Sequence, residues 1–326
     1  MRDFEKNLNE TLVTNILKKI PSNIKPVSYL MELLELSRES IYRRLRGEIP
    51  FSIAEIAKLS LALDFSIDQI VGSKKKERMF FDLPSAPSTE PVMAFQLMLQ
   101  KYKEHLDDLI NGDCGESTMA LNHFPPTLLV FFDSLFKFTY YKWLQKYNSI
   151  SLKDNFSDIK IPEKVTLLQK EIRENLYKIE FATLIFDPNV FLSLIQDVSY
   201  FHKRKLINEE ELKILKKEIY DFIDMSEMMA KTGLLGTKTR ISLYLSSLYI
   251  NANTGCVSCI HKNESLFWIF TVNPIIIRNT DLYLLQKSWL DSLKRQSTLI
   301  TQSNEILQSE FFDKQRQYLA AEFQTD

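Results

Sequence analysis

The chain has 326 residues, with 41 basic and 42 acidic side chains for a formal net charge of −1, 45% hydrophobic residues and 25% charged ones. That balance is ordinary for a globular protein of one long domain or two, and it excludes a globally basic protein that coats nucleic acid. Only 7 glycines occur, which disfavours turn-rich β architecture and glycine-built nucleotide loops and favours helices.

The first residues, MRDFEKNLNE, carry no apolar core of a secretory signal, so none is expected. The most apolar windows, Thr127–Phe136 and Leu266–Ile277, are too short or too polar to span a bilayer, and no membrane association is expected. Cys114, Cys256 and Cys259 are too few to hold a fold of this size, which makes the cytoplasm the expected location.

Residues 8–72 read as a run of short amphipathic helices. A cationic cluster, Ser73-Lys-Lys-Lys-Glu-Arg78, and three prolines at 84, 87 and 91 follow, so residues 73–91 read as a linker. Within the first segment one device recurs at helix starts. Leu36-Ser37 precedes Arg38 with Ile41 at the fourth helical position. Phe51-Ser52-Ile-Ala-Glu55-Ile56 and Phe65-Ser66-Ile-Asp-Gln69-Ile70 repeat it and add the Ser-x-x-Glu/Gln capping box. Each serine satisfies orphan N–H groups, and the flanking apolar pair staples the incoming chain to the first turn. Each cap contributes about 1 kcal/mol, which fixes short helices at sharp angles.

The order of these parts, from Leu36-Ser-Arg-Glu-Ser-Ile-Tyr-Arg-Arg-Leu-Arg-Gly47 through Pro50 to Phe51–Ile70, resembles the Cro/C1-type (XRE-like) helix-turn-helix of bacterial transcriptional regulators over about 60 residues. The resemblance implies a five-helix domain in which the helix opened by Ser37 enters the DNA major groove, braced by the preceding helix. Two positions depart from the family. Met31 stands where alanine is usual at the helix crossing, and Glu35 stands where glycine or another turn residue is usual. The buried stripe also pairs Ile41 with Leu45 at i, i+4, where i, i+3 is commoner in the family.

On a helical projection, Ile41 and Leu45 face inward, while Glu39, Tyr42, Arg43 and Arg46 face outward with Arg38 and Arg44 on the flanks. Arginine can fork onto guanine O6/N7 and also contacts phosphate well. Arg38, Glu39, Tyr42 and Arg43 are therefore assigned to base edges of double-stranded DNA. Ser37, Arg44, Arg46, Lys74, Lys75 and Lys76 are assigned to phosphates. A solvated helix face and, for the lysines, a linker kept soluble by charge are the competing explanations.

From Val92 onward, long helices are expected near Val92–Ile110, Pro126–Tyr147, Glu163–Phe181, Asn189–His202, Asn208–Lys231, Asp281–Gln296 and Asn304–Phe323. Arg240–Ile250, Cys256–His261 and Leu266–Val272 read as a short antiparallel meander. The expected fold is thus mainly α: a helix-turn-helix domain over 8–72 and a larger, mostly helical α+β domain over 92–326 with a small antiparallel sheet. The aromatic run outgrows one helical stripe. Phe132, Phe136 and Trp143 suit a core, whereas Phe131, Phe138 and Tyr141 must be covered by other helices, a partner copy or an apolar ligand. The tail Lys287–Ile300 with Glu305–Lys314 resembles the C-terminal region of a group of bacterial helix-turn-helix proteins.

Cys256-Val-Ser-Cys259 with His261 suggests a metal site, but the second half of a four-ligand set is missing, and core cysteines are the simpler reading. His105, His123 and His202 stand without carboxylates at useful spacing, and no nucleophile, phosphate-loop or dinucleotide motif occurs. Neither enzymatic activity, cofactor nor metal is expected. The expected function is a sequence-specific DNA-binding transcriptional regulator, dimeric through its larger domain because one small reading module covers few base pairs. Two alternatives stand beside it. The larger domain could be a receptor for a peptide or small apolar molecule, or the helix-turn-helix frame could bind a protein partner in place of DNA.

Overall fold

The computed structural model describes residues 2–20, 24–63, 65, 67, 90–112, 114–259, 263–269 and 273–324, and the chain divides into two compact units, Met1–Phe81 and Asp82–Asp326. In the first unit the described helices are α1 (Arg2–Lys19), α2 (Pro26–Leu34), α3 (Arg38–Leu45) and α4 (Ile53–Leu63). Pro26 opens α2, where its missing N–H would be unbonded in any case. Glu35 ends it in the left-handed region at φ 57° and ψ 39°. The start of α3 is fixed by Ser37, whose Oγ accepts from the Ser40 N–H at 3.3 Å. A full capping box opens α4: the Ser52 N–H donates to Glu55 Oε2 at 2.8 Å, and the Glu55 N–H donates to Ser52 Oγ at 3.2 Å. Ile16, Leu30, Ile41 and Leu59 are wholly buried at the centre of this unit, and Leu36, Leu45 and Ile56 pack around them. The fifth helix rests on residues 66 and 68–70, which lie outside the described residues, as do Lys74, Lys75 and Lys76.

The second unit opens with α5 (Pro91–Asn111), capped by the Glu90 carboxylate on the Val92 and Met93 N–H groups. It continues through β1 (Cys114–Leu121), α6 (Asp133–Lys146), α7 (Glu163–Leu176), β2 (Phe181–Phe186), α8 (Leu192–Lys203) and α9 (Glu209–Thr232). Then come β3 (Leu234–Leu235), β4 (Thr239–Ser246), β5 (Thr254–Cys259), β6 (Asn263–Ile269), β7 (Asn273–Ile277), α10 (Thr280–Arg295), β8 (Ser297–Leu299) and α11 (Glu305–Glu322). The expected small antiparallel sheet is overturned. The strands form one eight-stranded mixed sheet in the order β3-β4-β2-β1-β5-β6-β7, with β8 also pairing β4. β1 runs parallel to β2 with Ser117 opposite Ala182, and β2 parallel to β4 with Phe181 opposite Arg240. Of the expected meander only the β5–β6 pair holds: β1 and β2 separate β4 from β5, and β6 pairs on its other side with β7, a strand not among those expected. The class is α+β.

Alternation along the strands gives the sheet two covered faces. Leu121, Leu184, Phe186, Ile241 and Leu243 join the main core beneath α5 to α9 and α11, while Ala120, Ile185 and Cys256 join Tyr283, Leu290 and Leu293 of α10 on the other side. Phe138 and Tyr141 are wholly buried by their own domain, 5.4 and 5.3 Å from the Phe201 ring, and half-buried Phe131 lies 5.4 Å from Tyr177. Intramolecular helices therefore cover the far side of the aromatic run.

Candidate nucleic-acid interface

The residues Ser37 to Leu45 fold as a two-turn rod seated by one buried side chain, Ile41, with Leu45 half-buried beside it. Ser37, Arg38, Glu39, Tyr42, Arg43 and Arg46 are all exposed. The Arg38 guanidinium lies 5.8 Å from the Tyr42 ring centroid, so the two side chains of the outer face steady each other.

Arg44 behaves differently from the phosphate ligand expected of it. Its Nε and Nη2 donate to the two carboxylate oxygens of Glu55 at 3.0 and 2.8 Å, and its Nη1 donates to Ser40 Oγ at 2.6 Å. Only 13% of the Arg44 side chain is exposed. Glu55 therefore serves twice, as the reciprocal half of the α4 capping box and as the partner of α3. Burial raises its pKa, but the Arg44 guanidinium and the Ser52 N–H and hydroxyl outweigh that effect and hold it below the ordinary 4.5. Arg44 is a strut between α3 and α4, and the sequence pattern showed Glu55 only as a cap.

Arg43 and Arg46 share one carboxylate. Glu48 Oε2 lies 3.5 Å from Arg43 Nε, and its Oε1 lies 3.1 Å from Arg46 Nε. All three side chains are about half exposed, and ion pairs of that kind are worth about 0–1 kcal/mol, so phosphate or guanine can displace the acid readily. Arg43 and Arg46 are thus held only weakly, whereas their neighbour Arg44 is fully engaged by Glu55.

The remaining candidates lie in the second unit. Cys256 is buried against α10, and burial pushes its thiol up to about 11, so it is a neutral core group. Cys259, opposite Cys114 in the strand register, is disulfide-bonded, so the core-thiol reading holds for Cys256 and not for Cys259. His261 lies outside the described residues, among which no cluster of His, Cys, Asp or Glu could hold a metal ion. Two histidines have carboxylate partners that their spacing hid: His105 Nδ1 is 2.8 Å from Glu264 Oε2, and His202 Nε2 is 2.9 Å from Glu209 Oε1. His123 meets Asn122 and Asn253.

Helices capped and stapled in this order, with a short exposed arginine-bearing rod, define a helix-turn-helix unit of the DNA-binding kind. Residues 13–89 match the BetR domain, a family of helix-turn-helix-like DNA-binding domains, and a DNA-binding regulatory role in general follows from it. No curated protein and no solved structure matches the chain. Among the described residues no helix is long and apolar enough to cross a membrane.

Proposed function

We propose that the chain is a sequence-specific transcriptional regulator of the Cro/C1-like type, acting in the cytoplasm as a homodimer assembled through its larger unit, without catalytic activity. One observation carries this reading: α3 is clamped by Ser37 and Ile41 so that Arg38, Glu39, Tyr42 and Arg43 stand together on its open side. Arginine and tyrosine side chains on a rod of this width suit a major groove, with Arg46 and the α3 N-terminus at Ser37 placed for phosphates. Two copies on a two-fold site would supply the specificity that one short rod lacks. Lys74, Lys75 and Lys76 would extend the phosphate contacts, each steepening the salt dependence by about one unit of slope.

Selection of bound sequences from a random duplex pool, with the full chain and with Arg43→Ala, tests the reading. The parent should enrich a symmetric motif, and Arg43→Ala should relax one position of it at a cost of about 1–3 kcal/mol. No enrichment at low salt would favour a protein partner for the same face. Equilibrium ultracentrifugation that shows a monomer at micromolar concentration, with and without DNA, would remove the dimer.

A further inference from the structure

The helical layer and the sheet of the second unit do not close completely on each other. Between α5, α9 and strands β1, β2 and β4 lies a cavity of about 70 Å³ whose walls include Leu106, Phe124, Ala182, Leu184, Met225 and Met229. Protein interiors leave few voids larger than one water molecule, and an apolar void offers water no partners. Three unbranched methionines in its wall, Met119, Met225 and Met229, allow it to widen around a guest. A second chamber of about 190 Å³ adjoins it and shares Leu109, Ser117 and Ile179 with it. This outer chamber has a polar rim at the start of β2, where Lys178 and Glu180 line it.

The charges at that rim are unequal. Glu180 is matched by Arg240 at 2.9 Å. Lys178 is exposed and donates to a neutral acceptor, the Asn175 amide oxygen, at 3.3 Å. The nearby Asp107 attracts Lys178 through space, but its hydrogen bonds come from Lys103 at 2.8 Å and from Asn175 at 2.7 Å. An apolar inner chamber that shares walls with an outer one, at whose rim a lysine is hydrogen-bonded, among the described residues, only to a neutral amide, fits a ligand with one apolar end and one anionic end. We propose that the second unit binds an unbranched fatty acid, its alkyl tail in the inner cavity and its carboxylate at Lys178. The inference needs nothing of the DNA-binding reading, since the residues concerned all belong to the second unit.

Calorimetric titration of the full chain with hexanoate, octanoate and decanoate, and with octan-1-ol as the neutral control, tests it. One site per chain is expected, with affinity rising roughly three- to fourfold per methylene until the tail fills the cavity. Octanoate should bind more tightly than octan-1-ol, and Lys178→Met should erase that preference while retaining the alcohol. Ala182→Leu, which places bulk in the inner chamber, should abolish binding of both. Lys178→Met alters an exposed side chain, so it decides the question by itself if Ala182→Leu fails to fold. The proposal is overturned by absence of saturable binding, by affinity that climbs with chain length without limit, or by parental selectivity in Lys178→Met.

Discussion

Replacing Arg44 by alanine separates the strut role from a phosphate-contacting one. The substitution removes two charge-assisted hydrogen bonds to Glu55 and one to the Ser40 hydroxyl. Breaking a fully buried pair costs about 3–5 kcal/mol, whereas an exposed pair is worth about 0–1 kcal/mol. With 13% and 16% of the two side chains exposed, the pair lies between these limits, and about 2 kcal/mol is expected. Hydrogen exchange on the full chain should show α3 and α4 amides losing about 30-fold protection, since 1.4 kcal/mol corresponds to roughly tenfold. A double-mutant cycle with Glu55→Gln should return most of that energy as coupling. Because the Glu55 pKa is depressed, the contribution is complete above the ordinary value of 4.5 and disappears as pH falls through the lower folded value. Arg44→Ala should therefore lose less protection in acid than the parent does. A coupling near zero, together with a DNA-binding salt slope shallower by about one unit, would refute the strut and restore Arg44 to the phosphates.

Glu35→Gly should stabilise the first unit by about 0.5–1 kcal/mol, because glycine takes the left-handed conformation at φ 57° without the penalty an L side chain meets; lower protection in α2 would contradict this. Glu48→Gln frees Arg43 and Arg46 from their shared acid and should tighten DNA binding several-fold at low salt, with a smaller gain as salt rises. In the second unit, wholly buried Glu264 accepts from Arg278 Nε at 2.7 Å and pairs with His105, and despite the opposing effect of burial these partners bring its pKa down to about 2. Glu264→Gln should cost about 2–3 kcal/mol at neutral pH. Its thermal midpoint should also fall less steeply than the parent's between pH 4.5 and about 2, the window in which the parent's carboxylate loses its charge.

Much of the first unit was legible because its determinants are local. A serine cap, its reciprocal glutamate and a flanking apolar pair lie within six residues, so Ser37 with Ile41 and Ser52 with Glu55 announced the starts of α3 and α4. The left-handed residue at Glu35 was legible as a place where glycine is usual. What stayed hidden was the second use of Glu55. A helical projection places Arg44 on a flank but cannot say that α4 arrives there with a carboxylate, eleven residues away in sequence. Glu48 was hidden for the same reason, because the turn after α3 folds it back onto arginines that the projection leaves open.

The sheet was missed because its inner strands carry no alternation to read. Ala182 to Phe186 are buried without interruption, since β2 lies between two parallel neighbours and under helices on both faces. A continuous apolar run of that length is consistent with either a strand or part of a buried helix, and it follows directly on a segment whose helical period is strong. β1 is equally ambiguous in Cys-Gly-Glu-Ser-Thr-Met-Ala-Leu, where polar and small residues dominate although Thr118, Ala120 and Leu121 are buried. β5 and β6 could be read because they are neighbours in sequence and pair directly with each other, whereas β7 was not anticipated. Parallel pairing needs a crossover, so the partners of β2 lie some 60 residues away on either side, 67 of them separating Thr183 from Glu116. The same long-range closure creates the chambers beside Lys178. Their walls come from α5, α7, α9 and six strands, and no local pattern brings those residues together. Local signals therefore reached the DNA-facing rod, whereas any ligand site in the second unit becomes visible only once the sheet has been assembled.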